Sequence, residues 1–272
     1  MNKVILILSD ALRYDTAVAN MGFLGHLVEA KLASLYKVTG ELPSMSRPMY
    51  ETIHTGLPSS EHGIVANSMV RRSIKPNIFQ SAVQAGRVTA AAANNWISEL
   101  YNRVPYDRID DKEVDDNSLF IQHGRFYTED EYPDVELFAT AAHLIRKFAP
   151  DYLLLHPMGM DYHGETYGSD SSQYRNHAIQ QDKWLAPYIM EWMERGYTIM
   201  VTGDHGINRD GAHGGTTPEQ REVPLFWIQP NVKGRGDTGE TISQLRIAPT
   251  VLKLLDVPIP ETMKHPALIL RL

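Results

Sequence analysis

The sequence contains no cysteine among its 272 residues. This absence excludes a disulfide framework, a thiolate metal site and a cysteine nucleophile. Basic residues are also in the minority, since 26 Lys and Arg stand against 33 Asp and Glu, for a net charge of −7. Because nucleic acids and anionic membranes both require a basic face, we expect neither a polymeric nucleic acid nor a membrane as partner.

Long apolar runs are absent as well. None approaches the roughly 20 residues that span a bilayer, and the N-terminal run Val4 to Leu8 is too short for a signal peptide. These features predict a cytoplasmic location. With 43% hydrophobic and 22% charged residues, the composition is that of an ordinary globular protein. It predicts a single domain over residues 1–272.

Short apolar runs alternate with helical patterns along the chain. The strongest runs are residues 3–10, 151–157, 197–204 and 223–230, with weaker ones at 32–38 and 87–93. Such runs are typical of strands buried on both faces of a parallel sheet. Helical patterns cover residues 134–150, where Pro150 marks the end, and 171–195, which Pro187 should kink or split. The alternation predicts a three-layer α/β/α sandwich around a mostly parallel sheet.

Three aspartates follow three different predicted strands. Asp10 and Asp204 end their runs, and Asp161 lies just beyond the run 151–157. Open α/β folds place their sites at the edge formed by these strand ends. The stretch TGDHGINRDGAHGG, residues 202–215, adds His205 and His213. Carboxylate and imidazole without thiolate suit zinc, manganese or a similar ion, whereas the alternative is that each aspartate only caps a helix or turn.

The stretch ELPSMSRPMYETIHTG, residues 41–56, predicts a helix with a serine at its start. Pro48 suits the first turn and Gly56 the end, so we expect a helix from about residue 47 to 55 with Ser46 at or next to the N-cap. A serine there is usually structural. However, the positive end of the helix would also favour an alkoxide or an incoming phosphate at this hydroxyl.

The order and spacing of these pieces resemble the alkaline phosphatase superfamily, in particular its type I phosphodiesterase and nucleotide pyrophosphatase branch. The matching pieces run from residue 4 to about 263 and are VILILSDALRYD, LPSMSRPMYETIHTG, EHGIVAN, GMDYHGETYG, TGDHG, AHGG and IAPTVLKLLDVPIPETM. The resemblance implies an alkaline-phosphatase-like catalytic domain. The 272 residues leave little room for the large cap insertion of the related mutases.

The resemblance also implies two divalent metal ions, zinc in the first place and manganese as the alternative. The implied ligands are Asp10, Asp204, His205 and the Ser46 oxygen for one ion, and Asp161 and His213 for the other. The family supplies a further histidine four residues after Asp161, where this sequence has Glu165. Either Glu165 is a ligand or a shifted loop presents His163. More oxygen ligands would favour manganese over zinc.

The implied reaction is the hydrolysis of a phosphodiester or pyrophosphate bond in a small phosphate ester. Ser46 occupies the position of the family's nucleophile and would form a covalent phosphoseryl-type intermediate. Asn67 occupies the position of an asparagine that hydrogen-bonds a nonbridging phosphoryl oxygen. Phosphomonoester hydrolysis, phosphonate C–P hydrolysis and a noncatalytic metal-binding protein remain as alternatives. A sulfatase is not expected, because Tyr50 stands where its motif requires arginine.

The neighbourhood of the nucleophile departs from the nucleotide pyrophosphatases, which often follow it with an aromatic residue. Here Arg47 follows Ser46; it could clamp an anionic group of the substrate or be an ordinary solvated residue. A stacking wall for a base could come from Tyr162, Tyr101, Tyr106, Phe126 and Tyr127, whose ordinary alternative is core or rim. We do not expect His123 or Arg125 to reach the site.

Overall fold

The computed structural model describes residues 2–269. Its strands are β1 (Lys3–Leu8), β2 (Ala33–Thr39), β3 (Thr89–Asn94), β4 (Glu113–Asp115), β5 (His123–Tyr127), β6 (Tyr152–Leu155), β7 (Tyr197–Thr202), β8 (Glu222–Ile228) and β9 (Gly236–Ser243). They form one sheet in the order β4-β5-β3-β6-β1-β7-β8-β2-β9. The central run from β5 to β7 is parallel, whereas β8 is antiparallel to both of its neighbours. The mostly parallel sheet that the sequence predicts is confirmed.

Helices cover both faces of this sheet. They are α1 (Tyr14–Asn20), α2 (Gly22–Glu29), α3 (Ser46–Thr55), α4 (Ser59–His62), α5 (Ile78–Gln84), α6 (Asn95–Tyr101), α7 (Asp134–Phe148), α8 (Gly159–Tyr167), α9 (Ser172–Glu194), α10 (Pro218–Arg221) and α11 (Ile247–Leu254). A membrane-spanning helix would have to be both long and apolar, and none of the helices within residues 2–269 meets both conditions.

The alternation of side chains along β1 divides the interior into two cores. Ile5 and Ile7 point into a core shared with α1, α2, α7 and α9. Leu6 and Leu8 point the other way, into a core shared with α3, α5, α6 and α11. All four side chains are fully buried. Because neighbours along a strand point to opposite faces, a continuous apolar run is what a strand between two helical layers requires.

The predicted elements match the structure with two differences. All six predicted strands are present, but the short or polar strands β4, β5 and β9 carry no continuous apolar run and were not predicted. Of the kink or split expected at Pro187, the split is wrong, because α9 continues through it as one helix of 23 residues. Helix packing on both sides of that position, with Leu185 and Ile189 buried, outweighs the hydrogen bond that proline cannot donate.

Glu51 lies in a buried polar cluster on α3, the helix that begins with Ser46. Ser73 Oγ donates to its Oε1 at 2.5 Å, and the Tyr101 hydroxyl donates to its Oε2 at 3.0 Å. Burial nevertheless raises the pKa of Glu51 to about 7. The folded state therefore retains a proton that the unfolded chain releases at lower pH.

We expect Glu51→Gln to flatten the pH dependence of stability. A raised carboxyl pKa makes the free energy of unfolding fall as pH rises from about 4.5 to about 7. Glutamine does not titrate. The decrease in the free energy of unfolding between pH 5 and pH 8 should therefore be smaller in the variant, by up to about 3 kcal/mol. Denaturant unfolding at both pH values measures this, with exposed Glu61→Gln as the control. Equal pH slopes for the Glu51→Gln variant and the wild type would contradict the assignment.

Candidate active site

The carboxyl ends of three neighbouring strands form the floor of the site. β6, β1 and β7 are adjacent and parallel, so the residues that follow them lie side by side. His156 follows β6, Asp10 follows β1 and Asp204 follows β7. All three side chains are fully buried. The structure thus brings Asp10 and Asp204 together at the predicted edge.

Asp10, Asp204 and His205 form a first group with the spacing of metal ligands. One ligand atom from each lies within 4.8 Å of the others. His205 Nε2 is 3.4 Å from Asp10 Oδ1 and 3.4 Å from Asp204 Oδ2. The backbone N–H of Ala11 donates to Asp204 Oδ1 at 3.1 Å, and Ala11 adopts the left-handed conformation with φ 57°. This uncommon backbone conformation therefore helps to fix Asp204.

Asp161, His205 and His213 form a second group with the same spacing. Asp161 is in the first turn of α8, and the rings of His205 and His213 stack with centroids 4.4 Å apart. Glu165, one turn along α8, lies 3.1 Å from His213 Nε2 through its Oε1. His205 is common to both groups, whereas the sequence prediction placed it with only one ion.

Three buried carboxylate oxygens have no hydrogen-bond partner within residues 2–269, namely Asp10 Oδ1, Asp161 Oδ1 and Asp204 Oδ2. Burying an anionic oxygen without a partner is costly, and cations between the carboxylates would satisfy all three. Carboxylate and imidazole donors are those that zinc and manganese use in proteins. The residues of the site therefore fit divalent metal ions.

The pKa values within the cluster reflect the crowding of its carboxylates. Burial raises the pKa of Asp204 and of Asp161 well above the usual range, and the Asp10 carboxylate raises both further. Burial also acts to raise the pKa of Asp10, but the His156 hydrogen bond and nearby His205 lower it to about 2. Burial lowers the pKa of His205 to about 4. Its imidazole is therefore neutral at pH 7, as metal binding requires.

Ser46 is the first residue of α3 and faces this cluster. The N-cap is Met45, and no side chain caps the helix, so the Ser46 hydroxyl is not used for capping. Ser46 Oγ lies 3.1 Å from His205 Nε2. The loop before α3 is tied to the loop that carries His213, since Gly214 N–H donates to the Ser44 carbonyl at 2.7 Å. The hydroxyl thus lies between the helix N-terminus and the carboxylates.

Arg47 and Asn67 are in direct contact with each other. The backbone N–H of Arg47 donates to Asn67 Oδ1 at 3.0 Å, and Arg47 Nε donates to the Asn67 carbonyl at 2.9 Å. The Arg47 side chain is only 1% exposed and pairs with Glu99 at 2.8 Å. The reading of Arg47 as a solvated residue is therefore wrong, because Glu99 and Asn67 draw its guanidinium inward.

His163 and Tyr162 lie on α8 but outside both groups of metal-ligand type. His163 Nδ1 contacts the Gly159 carbonyl at 2.8 Å, and its ring stacks on His177 with centroids 4.2 Å apart. Tyr162 is partly exposed, and its ring lies edge-on to His163 at 5.4 Å. Of the two alternatives for the remaining ligand, the structure places Glu165 and not His163 against His213. The role of Tyr162 in substrate binding stays a prediction.

The other aromatic residues do not form an open wall beside the site. Tyr101, Phe126 and Tyr127 are buried in the two cores, and Tyr106 packs edge-on against Phe126 with centroids 6.5 Å apart. These four residues therefore pack in the core or at its rim, which was the alternative to a stacking wall.

As expected, the strand that contains His123 and Arg125 does not reach the site. His123 stacks on Phe148 and, like Arg125, contacts Asp115. Their strand, β5, is separated from β1 by β3 and β6.

Two residues of the site were missed in the sequence. His156 Nε2 donates to Asp10 Oδ2 at 3.1 Å, and the Tyr50 hydroxyl donates to the same oxygen. Both carried a usable signal. His156 ends the run DYLLLHP at the same sheet edge as the aspartates, and Tyr50 lies one helical turn after Ser46, on the same face of α3. Together they anchor the Asp10 carboxylate.

The sequence profile of the type I phosphodiesterase / nucleotide pyrophosphatase family matches residues 4–210. The chain belongs to this family. Over 96% of its length it is 26% identical to GPI ethanolamine phosphate transferase 2 of Candida albicans, and over 95% it is 23% identical to the catalytic subunit of human GPI ethanolamine phosphate transferase 3. The matched regions make up 30% and 25% of those proteins, so the chain spans less than a third of the length of either relative.

Solved structures show the same fold. The inactive form of murine ectonucleotide pyrophosphatase/phosphodiesterase 5, in complex with AMP, matches with a TM-score of 0.73 and 15% identity over 96% of both chains. A phosphonate monoester hydrolase from Silicibacter pomeroyi matches with a TM-score of 0.68 and 15% identity over 98% of this chain and 76% of its own. The predicted alkaline-phosphatase-like fold is confirmed.

Proposed function

We propose that this chain is a metal-dependent enzyme that cleaves a phosphodiester or pyrophosphate bond of a small phosphate ester and transfers the phosphoryl group to water through Ser46. The observation that carries the proposal is the position of the Ser46 hydroxyl. It lies at the first residue of a helix, 3.1 Å from His205 Nε2, beside carboxylates whose buried oxygens find no hydrogen-bond partner in the described part of the chain. A hydroxyl in this setting is suited to act as a nucleophile.

Two divalent ions would be held by the two groups of ligands, Asp10, Asp204 and His205 in one and Asp161, His205 and His213 in the other. When bound, such ions stabilise the negative charge of a nucleophilic and a leaving oxygen. Glu165 beside His213 makes manganese a reasonable alternative to zinc, because it adds an oxygen donor.

The protein's own residues then account for the two steps. In the first, Ser46 gives up its hydroxyl proton to solvent, and a bond forms between Ser46 Oγ and phosphorus as the bond to the leaving oxygen breaks. The helix N-terminus favours the negative charge of the nucleophile. Asn67 donates to a nonbridging phosphoryl oxygen. In the second step, the oxygen of a water molecule bonds to phosphorus as the bond to Ser46 Oγ breaks, and a proton from the water restores the Ser46 hydroxyl.

Transfer to an alcohol is the second candidate reaction. The two relatives compared above are named GPI ethanolamine phosphate transferases, and they align with 95–96% of this chain. Hydrolysis and transfer share the covalent intermediate on Ser46 and differ only in the acceptor of the second step. The choice between them therefore depends on which acceptor reaches phosphorus.

Matched nitrophenyl substrates test the proposal. A phosphodiester, a phosphomonoester and a phosphonate are compared with the zinc-loaded and the manganese-loaded protein, with and without a primary alcohol. We expect the diester to be preferred, and its products to be nitrophenol and a phosphomonoester. A phosphorylated alcohol as main product would establish the transferase, and no turnover with both metals bound would favour the noncatalytic alternative.

A further inference from the structure

We propose that Arg47 is a positioning residue that holds Asn67 in place to donate to the phosphoryl group, and that it does not itself bind the substrate. The inference rests on the proposed function in one respect, namely that Asn67 faces the phosphoryl group. It departs from the sequence-based hypothesis that Arg47 clamps an anionic group of the substrate.

Arg47 is fixed on three sides. Its Nη2 donates to Glu99 Oε2 at 2.8 Å, and its guanidinium carbon lies 4.5 Å from the centroid of the Trp96 ring. Its Nε donates to the Asn67 carbonyl at 2.9 Å. A charge-assisted pair combined with a cation–π contact leaves a planar guanidinium little freedom to turn. The Asn67 carbonyl is therefore attached to a rigid support.

The same contacts set the direction of the Asn67 amide. Its Oδ1 accepts the backbone N–H of Arg47 at 3.0 Å, a group in the first turn of α3 next to Ser46. Because the oxygen is occupied, the amide presents its NH₂ group as the donor to any ligand. A donor is what a phosphoryl oxygen requires. Arg47 thus restrains both the backbone and, through its own N–H, the side chain of Asn67.

Burial argues against direct substrate binding by Arg47. Its side chain is 1% exposed and that of Glu99 10% exposed. Arg47 Nη1 has no hydrogen-bond partner within residues 2–269, but it is buried. A ligand could reach it only if the guanidinium left Trp96 or Glu99, and breaking a buried ion pair is costly.

A double-mutant cycle tests the proposal. Calorimetry measures the binding of inorganic phosphate, at matched metal content, to four proteins: the wild type, Arg47→Ala, Asn67→Ala and the double variant. Each single change is expected to weaken phosphate binding roughly tenfold. If Arg47 acts through Asn67, the double variant binds no more weakly than Asn67→Ala alone. A roughly hundredfold loss in the double variant would mean that the two residues contribute independently and would overturn the proposal.

Two further variants keep the test decisive. Arg125→Ala removes a largely buried arginine that pairs with Asp115 on a strand separated from β1 by β3 and β6, and it should leave phosphate binding unchanged. If Arg47→Ala does not fold, Glu99→Gln replaces it in the cycle and should again show no additional loss beyond Asn67→Ala. Phosphate binding needs no turnover. The cycle can therefore fail while Ser46 proves to be the nucleophile, or hold while the proposed reaction proves wrong.

Discussion

Ser46→Ala is expected to lower the turnover of a diester substrate by at least about a thousandfold, with fold and metal content intact. The hydroxyl caps no helix and contacts only His205 Nε2 among the described hydrogen bonds, so its removal deletes the nucleophile and little else. The carboxylates and imidazoles of both ligand groups remain. Rapid-quench kinetics on the wild type should show a burst of released nitrophenol, and the variant should show none.

Ser59→Ala is the matched control for this experiment. Ser59 is 2% exposed and Ser46 is 3% exposed, and the Ser59 hydroxyl has no hydrogen-bond partner within residues 2–269. It starts α4 in the same way that Ser46 starts α3, but it lacks the contact with His205 that Ser46 Oγ makes. Turnover of Ser59→Ala should stay within twofold of wild type, as is usual away from a site. Near-normal turnover of Ser46→Ala would refute the nucleophile assignment.

Much of the fold could be predicted because parallel strands between two helical layers have a characteristic sequence pattern, a nearly continuous apolar run. β1, β6 and β7 are buried on both faces, so their sequences KVILIL, YLLL and YTIMVT are almost continuously apolar. The edge elements lack this signature. β9, with the sequence GDTGETIS, is the last strand in the order of the described sheet, and half of its residues are exposed. Such a polar strand cannot be told from a loop by periodicity.

The site could be predicted in part for the same reason. Asp10 and Asp204 follow two strands that are neighbours in a parallel sheet. Their proximity therefore follows from the sheet topology. The burial of the Arg47 side chain does not follow from any local sequence pattern. It depends on Glu99 and Trp96 from α6, about 50 residues away in the sequence. Contacts of this kind become visible only when the tertiary structure is known.

The carboxylate cluster also links stability to function. Asp10, Asp161 and Asp204 are 0%, 5% and 0% exposed, and such close, buried negative charges repel one another and lose hydration. Without a counter-charge, ionisation of Asp161 and Asp204 opposes folding, as their raised pKa values indicate. A bound cation reverses the sign of this contribution, so the geometry that prepares the site for metal is unfavourable to the metal-free protein.

Asp204→Asn should therefore change stability in opposite directions with and without metal. Asparagine keeps an oxygen for the Ala11 N–H and removes a carboxyl group whose ionisation burial and the Asp10 carboxylate oppose. The metal-free variant should therefore be at least as stable as the metal-free wild type. With metal present, the wild type should gain about 3 kcal/mol at an ion concentration a hundred times the dissociation constant, or roughly 5–10 °C in Tm. The variant should lose most of this gain in stability. Elemental analysis should also show that it binds less metal than the wild type.

Asp182→Asn provides the control, since Asp182 is 5% exposed and accepts backbone N–H groups of Phe23 and Leu24 away from the site. It should be less stable than wild type in both conditions, because it weakens two charge-assisted hydrogen bonds, while its metal content stays normal. An Asp204→Asn protein that retained its full metal content and its full metal-dependent rise in Tm would show that Asp204 is not a ligand. If instead the metal-free variant were strongly destabilised, the main role of Asp204 would be to hold the turn at Ala11. The repulsion within the carboxylate cluster that its burial implies would then be refuted.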